Sequence, residues 1–390
     1  MNRRNALIGG SLLALLGVLA TGHAALQASI DQAEQAPIFE VDPFWPRPLP
    51  NHWLLGSVIG VGVDNRDHVF IIHRQESLNA RTEVGAAQNP PTGDCCVPAP
   101  PVLEFDPEGN VVNAWGGKGE GYDWPTSNHG ISIDHMDNVW IGGNGRTDSH
   151  ILKFSHAGKF LMQIGQTSRD ANSKAADHFG RVAKVSFDAK NNEAYVADGY
   201  GNKRVAVVDM NTGALKRYWG AYGNQPDDTD LGPYNPDAPL AKQFRNPVHC
   251  AEPSLDGHVY VCDRQNNRIQ VFRADGSFVK EARIAPRTLG DGAVWDIAFS
   301  RDPQQRYIYL ADGKNMKVYI IDRQSLEVLT SFGDGGRQPG QFFAVHSIAT
   351  DSKGNIYTTE TYEGKRIQKF VYKGTGPVAK KDQGTVWPKR

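Results

Sequence analysis

The chain has 390 residues, of which 39% are hydrophobic, so it is long enough to bury a large core. Its 42 lysines and arginines nearly balance 43 aspartates and glutamates, and the formal net charge is -1. No basic stripe or acidic tail is present, which argues against nucleic acid or a membrane surface as partner and favours a small ligand.

The first residues carry the pattern of an export signal. An arginine pair precedes an apolar run over about residues 6–20, and small residues follow around Ala24 and Ala28. This pattern predicts a signal peptide over residues 1–28, with no other membrane contact, and an exported protein that is periplasmic or secreted. An uncleaved membrane anchor is the alternative, because the apolar run is nearly long enough to span a bilayer.

An oxidising compartment permits disulfides, but four cysteines are too few to hold a chain of this length together. Cys250 and Cys262 flank one predicted hairpin. Counting back from its Asp-Gly turn pairs Ala251 with Cys262, which places the two sulfurs on opposite faces and argues against a bridge. The adjacent cysteines at 95–96 lie in a proline-rich loop, and the sequence assigns them no role.

Pairs of strands joined by Gly, Asn or Asp turns recur along the chain, and helical periodicity is nearly absent. Each pair continues into a third and a fourth strand, which is typical of a propeller blade. Six such units predict an all-β, six-bladed β-propeller over residues 36–375, followed by a C-terminal tail over 376–390. The clearest pairs are "ISIDHMDNVWIGG", "VSFDAKNNEAYVAD", "AEPSLDGHVYVCD", "IAFSRDPQQRYIYLAD" and "IATDSKGNIYTTE".

Two insertions and one closing strand complete the predicted propeller. The insertions, at about 76–101 and 222–243, are rich in Pro, Gly, Asn or Asp and are predicted to be loops. The stretch "APIFEVDPF" near the N-terminus is predicted to supply an outer strand that closes the ring against the last blade.

One position repeats at the start of every innermost strand, and histidine occupies it in alternate blades. Innermost strands line the channel, so residues from alternate blades of six converge on its axis from three directions. Three neutral imidazoles with an open fourth position are typical of a catalytic zinc site. Channel histidines hydrogen-bonded to water are the alternative. The six aligned residues are Ile59, His129, Ala183, His249, Trp295 and His346.

A second set of residues is predicted at the same mouth of the channel, where the second strands end. Arg74 and Arg264 follow two of these strands, and Tyr200 follows Asp198 by two residues. An arginine beside a phenol favours the phenolate form, so Tyr200 is a candidate base. The alternatives are a packing tyrosine and surface arginines. Asp198 and Asp263 are interpreted as structural residues that bind the backbone of their turns.

Several segments resemble the NHL-repeat propeller of peptidylglycine alpha-amidating lyase, over about residues 55–372. The coincidence of three histidines with the Asp-Gly-Tyr, Asp-Arg and His-Arg motifs in matching blades is more specific than the repeats alone. The segments are "FIIHR", "SNHGISIDHMDNVWI", "HFGRVAKVSFDAKNNEAYVADGYGNKR", "HCAEPSLDGHVYVCDRQNNRIQVF" and "VHSIATDSKGNIY".

The resemblance implies a zinc-dependent carbon–nitrogen lyase that cleaves a peptidyl alpha-hydroxyglycine to an amide and glyoxylate. Ser347 stands where the family has a calcium-binding aspartate, which puts calcium in doubt, and Gly201 replaces a cysteine of the family. The substrate is a small molecule or a peptide. By matching motifs, the zinc ligands are His129, His249 and His346, the catalytic tyrosine is Tyr200, and the active-site arginines are Arg74 and Arg264.

Two other classes of function remain open at the level of sequence. The first is an exported NHL-propeller binding protein without catalysis, which holds a partner through loops such as 76–101. The second is a metal-dependent hydrolase of lactonase type, although such sites favour calcium with carboxylate and amide oxygens, and the three-imidazole pattern argues against it. The sequence does not indicate the oligomeric state or the physiological substrate.

Overall fold

The structure, a computed structural model, describes residues 34–378 and 384–385 and shows the predicted six-bladed β-propeller. The predicted signal peptide and most of the predicted C-terminal tail lie outside the described residues. Within the part that is described, no helix is long and apolar enough to cross a membrane.

The described residues form strands and four short 3-10 helices, the latter at Gln75–Ser77, Gly85–Ala87, Ala221–Gly223 and Arg264–Asn266. In chain order the strands are β1 (Gln35–Asp42), β2 (Trp53–Leu54), β3 (Ser57–Val63), β4 (Val69–Arg74), β5 (Val97–Pro98), β6 (Val102–Phe105), β7 (Val111–Trp115), β8 (Asn128–Ile133), β9 (Val139–Gly143), β10 (His150–Phe154), β11 (Phe160–Gly165), β12 (Val182–Asp188), β13 (Glu193–Asp198), β14 (Arg204–Asp209), β15 (Leu215–Trp219), β16 (Val248–Pro253), β17 (His258–Asp263), β18 (Arg268–Arg273), β19 (Phe278–Arg283), β20 (Asp296–Phe299), β21 (Tyr307–Asp312), β22 (Lys317–Asp322), β23 (Val328–Phe332), β24 (Val345–Thr350), β25 (Ile356–Glu360), β26 (Arg366–Pro377) and β27 (Gly384–Thr385).

Each blade is an antiparallel sheet whose strands follow one another from the channel outward. Blade 1 has the order β3-β4-β6-β7, and blades 2 to 5 are β8 to β11, β12 to β15, β16 to β19 and β20 to β23. Blade 6 combines β24, β25 and β26 with β1, which pairs antiparallel with β26 and also contacts β27. The N-terminal strand therefore closes the ring, as predicted from the sequence.

Apolar side chains hold neighbouring blades together, because the two neighbours of each blade cover the two faces of its sheet. Six buried clusters fill the six junctions between blades. Trp140 of blade 2, for example, packs with Val182 and Val185 of blade 3. At the closing blade, Phe39 of β1 is fully buried against Tyr309 and Phe332 of blade 5. Burial on both faces explains why the inner strands are rich in β-branched and aromatic residues.

The innermost strands bulge at the aligned channel position. The pairing register shifts by one residue there in five of the six blades. A β-bulge bends the strand and redirects the side chain of the extra residue. All three aligned histidines lie at such bulges, so the backbone itself turns them toward the channel.

The cysteine prediction for blade 4 is wrong, because Cys250 and Cys262 lie directly opposite each other and form a disulfide. Their Cα atoms are 4.8 Å apart. The hairpin turn has three loop residues instead of two, ending at Gly257 with φ +81, so Ser254 pairs with His258 and the register moves by one residue. Cys95 and Cys96 are bonded to each other.

Candidate metal centre

Three imidazoles meet in the channel at the end where the innermost strands begin. His129, His249 and His346 come from β8, β16 and β24, and each is at most 2% exposed. Their ring centroids lie 4.9 to 5.1 Å apart, and one nitrogen of each ring lies within 4.8 Å of the others. The structure therefore brings together the three histidines that the repeat pattern had aligned.

The outward-facing nitrogen of each imidazole contacts a backbone carbonyl of the following blade. His129 Nδ1 donates to the carbonyl of Ala183 at 2.7 Å, and His249 Nδ1 donates to that of Trp295. The ring of His346 also has a hydrogen bond to the backbone of Ile59. A carbonyl can only accept, so Nδ1 carries the proton in His129 and His249, and their Nε2 atoms keep their lone pairs for the channel.

The three imidazoles are held in the neutral form. Burial lowers the pKa of each one well below its ordinary value of 6.5, and neighbouring cations and imidazoles lower it further. Neutral imidazole is the form that binds a metal ion. Three such rings, each oriented by a hydrogen bond at the opposite nitrogen, are a donor set that fits a zinc ion.

The hydroxyl of Tyr200 contacts two of the three imidazoles. It lies 2.8 Å from Nε2 of His129 and 3.1 Å from Nε2 of His249. Because both nitrogens are acceptors, the hydroxyl is the donor of this pair. Gly199 makes the approach possible, since a Cβ there would lie 2.0 Å from the carbonyl oxygen of Val248. The Asp-Gly-Tyr motif thus places a phenol at the histidine cluster.

Arg264 is the arginine that contacts the phenol. Its Nη1 lies 3.3 Å from the hydroxyl of Tyr200, and its Nη2 donates to Asp291 at 3.3 Å. The guanidinium also lies over the indole of Trp295, with Cζ 4.6 Å from the ring centroid. Its Nε is buried and has no hydrogen-bond partner among the described residues.

Arg74 lies at the same mouth but makes different contacts. Its Nε donates to the carbonyl of Asn128 at 2.9 Å, and its Nη2 donates to the side chain of Asn144 at 2.8 Å. Burial lowers its pKa, although the nearby Tyr200 opposes that shift. Arg74 therefore braces the residue before His129 and acts on Tyr200 only through space.

The carboxylates at the ends of the second strands are structural, as interpreted from the sequence, although their partners differ. Three of them form an ion pair with the arginine that opens the third strand and accept a backbone N–H from the segment before the innermost strand, whereas Asp312 accepts the backbone N–H groups of Lys314 and Asn315 in its own turn. The ion pairs are Asp198 with Arg204 at 2.8 Å, Asp263 with Arg268 at 2.7 Å and Glu360 with Arg366 at 2.7 Å, and the backbone donors are Gly180, Arg245 and Phe343.

One residue further along the inner strands, a lysine supplies the channel with a cation. Lys184 Nζ lies 2.7 Å from Glu252 and 2.8 Å from Asp296, and all three side chains are largely buried.

Ser347, at the position that put calcium in doubt, donates its hydroxyl to the carbonyl of Ile59 at 3.2 Å. Within residues 34–378, no group of metal-binding side chains forms around Ser347.

Sequence reasoning missed the contributions of the odd-numbered blades. Ala183, Trp295 and Ile59 were aligned only as apolar alternates, yet their carbonyls orient the three imidazoles. Every residue has a backbone carbonyl, so the residue types could not predict which carbonyls orient the imidazoles. The stacking of Trp295 on Arg264 was detectable in principle, since an aromatic residue in the channel beside an arginine is a candidate for cation–π contact.

Comparison with known sequences finds distant relatives of two kinds, although no protein-family model matches the chain. It is 24% identical over 338 residues to peptidyl-glycine alpha-amidating monooxygenase B of Xenopus laevis, covering 83% of this chain but 34% of that protein. The chain thus spans about a third of the length of the relatives it matches first.

Two further relatives match over most of their own length. Identity is 23% to a probable peptidyl-alpha-hydroxyglycine alpha-amidating lyase of Caenorhabditis elegans, covering 84% of this chain and 86% of that protein. Identity is also 23% to NHL repeat-containing protein 3 of Mus musculus, covering 86% and 84%.

Solved structures share the fold at low identity. A Bacteroides thetaiotaomicron protein of unknown function has a TM-score of 0.52 at 15% identity, covering 87% of this chain and 77% of that one. A streptogramin B lyase has a TM-score of 0.50 at 10% identity, covering 86% and 98%. The chain is accordingly a six-bladed propeller with distant homologues among the alpha-amidating enzymes and the NHL repeat-containing proteins.

Proposed function

We propose that this protein is a zinc-dependent lyase that cleaves the N–C bond of an alpha-hydroxyglycine-type carbinolamide, giving an amide and glyoxylate. One observation carries the proposal: three neutral, buried imidazoles converge while the hydroxyl of Tyr200 contacts two of them. The distant similarity to a probable peptidyl-alpha-hydroxyglycine alpha-amidating lyase supports the same reaction.

The zinc ligands in this proposal are the Nε2 atoms of His129, His249 and His346. Nδ1 of His129 and of His249 is already hydrogen-bonded to a carbonyl, so these two rings need no reorientation to present Nε2. When bound, zinc supplies a Lewis acid that makes a nearby hydroxyl easier to deprotonate.

Tyr200 acts as the general base. Its oxygen lies beside the histidine cluster, and Nη1 of Arg264 lies 3.3 Å from it, so the guanidinium charge faces the atom that would accept the proton. The phenolate takes the proton of the substrate carbinol hydroxyl, the C–O bond becomes a carbonyl and the C–N bond breaks with its electron pair on nitrogen. Tyr200 then returns the proton to that nitrogen, so the reaction consumes no other reactant and needs no redox step.

The two arginines have different roles in this scheme. Arg264 contacts Tyr200 directly and keeps a buried Nε donor for the substrate carboxylate. Arg74 donates hydrogen bonds to Asn128 and Asn144, and these bonds fix the strand that carries His129. The sequence did not separate these roles, and the different contacts of the two guanidinium groups support the separation proposed here.

The substrate and location follow from the same proposal. A partly exposed phenol beside the histidine cluster suits a small molecule or the end of a peptide. The N-terminal pattern favours export, so we propose that the protein acts in a periplasmic or extracellular compartment.

A binding protein without catalysis is the second candidate, because NHL repeat-containing protein 3 matches over most of its length. Such a protein has no need of stoichiometric metal in the channel. Metal dependence of a chemical reaction therefore separates the two functions.

We expect purified protein to release glyoxylate from alpha-hydroxyhippurate, a small carbinolamide, in a metal-dependent reaction. A chelator should abolish the release and added zinc should restore it, because the ligands are protein imidazoles that bind reversibly. His346→Ala should behave like chelated enzyme and should not recover with zinc. Release that is unaffected by both treatments would contradict a metal-assisted mechanism, and no release with full metal would favour a binding protein.

Tyr200→Phe removes one oxygen and keeps the aromatic volume. We expect turnover to fall by roughly 10²–10⁴-fold with bound zinc retained, because a general base is lost while the three ligands remain. Tyr362→Phe is the control, since Tyr362 occupies the equivalent position in blade 6 and should change turnover little. Equal losses in the two variants would argue against Tyr200 as base, and loss of zinc in Tyr200→Phe would make it a ligand instead.

The contact between Arg264 and Tyr200 predicts strong coupling of the two side chains. Arg264→Gln should lower kcat, and combining it with Tyr200→Phe should lower kcat little beyond Tyr200→Phe alone, because the arginine affects kcat through the phenol and its contact with the substrate carboxylate affects KM. Arg74→Gln, combined with Tyr200→Phe in the same way, should give a nearly additive loss. Additive effects for Arg264, measured as kcat on alpha-hydroxyhippurate, would contradict its assigned role.

A further inference from the structure

A second group of potential metal ligands lies at the opposite end of the propeller, between blades 1 and 2. Asp64 and His68 belong to the hairpin that joins β3 and β4, and Glu104 lies in β6. His156 comes from the turn between β10 and β11 of the neighbouring blade. The group thus joins two blades at the face away from the three channel histidines.

The ligand atoms of this group lie close together. Nδ1 of His68 is 2.6 Å from Oε1 of Glu104, and Nε2 of His156 is 3.0 Å from Oδ2 of Asp64 and 3.3 Å from Oε1 of Glu104. With bonds of roughly 2.0–2.2 Å, the ligands of a tetrahedral zinc ion lie about 3.3 Å from one another. Asp64, Glu104 and His156 therefore hold three ligand atoms within 4.8 Å of one another, and His68 adjoins them through its contact with Glu104.

The buried members of the group are directed inward by other contacts. Asp64 and Glu104 are 6% and 3% exposed. Oδ1 of Asp64 accepts the backbone N–H groups of Arg66 and His68, which leaves Oδ2 for the cluster. The ring of His156 packs edge-on against Phe70, with centroids 5.1 Å apart. These contacts fix one carboxylate and one imidazole without using their metal-binding atoms.

An ion-pair network around Arg66 is the simpler interpretation, and in it Nε2 of His156 makes one unfavourable contact whether or not it carries a proton. Nη2 of Arg66 contacts Oδ2 of Asp64 at 3.1 Å and also lies against Nε2 of His156. That nitrogen therefore faces a guanidinium donor and two carboxylate acceptors. With a proton it opposes Arg66, and without one it presents a lone pair to two carboxylates. A metal ion bound to Asp64, Glu104 and His156 would give each of these side chains a favourable contact. Only Arg66 would lose its partners.

We propose that His68, His156, Asp64 and Glu104 form a second metal site, which takes a divalent transition metal such as zinc. Two imidazoles and two carboxylates suit such an ion better than calcium, which prefers oxygen ligands alone. The Arg66 side chain is 54% exposed, so its guanidinium turns into solvent when the metal binds. The site links blades 1 and 2 and does not depend on the proposed lyase activity.

Zinc titration followed by native mass spectrometry tests the site in the full-length protein. We expect two zinc ions per chain in the wild type and one in the His68→Ala/His156→Ala variant. The single variant His156→Ala should weaken the second binding step at least about tenfold. Arg66→Ala should strengthen it, because a competing cation is removed. His135→Ala is the control, since His135 is exposed on the same face and has no carboxylate partner within the cluster.

The result distinguishes this site from the channel. If the double variant loses one zinc ion but still releases glyoxylate, the metal belongs to the blade 1 and blade 2 cluster. If the wild type and the double variant bind zinc with the same stoichiometry and affinity, the cluster is an ion-pair network of Arg66 and the proposal is wrong. Circular dichroism of each variant separates loss of metal from loss of fold.

Discussion

The channel depends on one repeated hydrogen bond, from the imidazole of a histidine to the backbone of the next blade. Nδ1 of His129 donates to the carbonyl of Ala183 and Nδ1 of His249 to that of Trp295, and the ring of His346 bonds the backbone of Ile59 in the corresponding place. A buried imidazole without a partner would be costly, and this bond satisfies one nitrogen while directing the other inward. Burial then keeps each ring neutral, so the fold itself prepares three ligand atoms at one point.

Tyr200 and Arg264 extend this arrangement toward the channel mouth. Their contacts form a chain from the indole of Trp295 through the guanidinium and the phenol to two imidazoles. Trp295 therefore serves twice, since its carbonyl orients His249 and its ring supports Arg264. The proposed lyase reaction uses the inner end of this chain for the metal and the outer end for the substrate carboxylate.

The sequence was sufficient for the blades and for the three histidines, because hairpin turns and period-two alternation set the register and histidine recurs in every second unit. It was insufficient for features that depend on the backbone conformation, such as the length of a hairpin loop or the position of a carbonyl group. The hairpin of Cys250 and Cys262 has one more loop residue than its Asp-Gly turn indicates, and this single residue reverses the predicted disposition of the sulfurs. Nor could residue types reveal which carbonyl orients an imidazole, or that Arg264 and not Arg74 contacts Tyr200.

Anomalous X-ray diffraction at the zinc edge, from crystals of the purified protein, tests the central claim most directly. The account predicts a strong peak on the channel axis, with Nε2 of His129, His249 and His346 at roughly 2.0–2.1 Å. The Nδ1 atoms should keep their carbonyl partners in the same crystals. A zinc-loaded crystal without a peak between the three imidazoles, or with one of these rings turned away from the others, would contradict it.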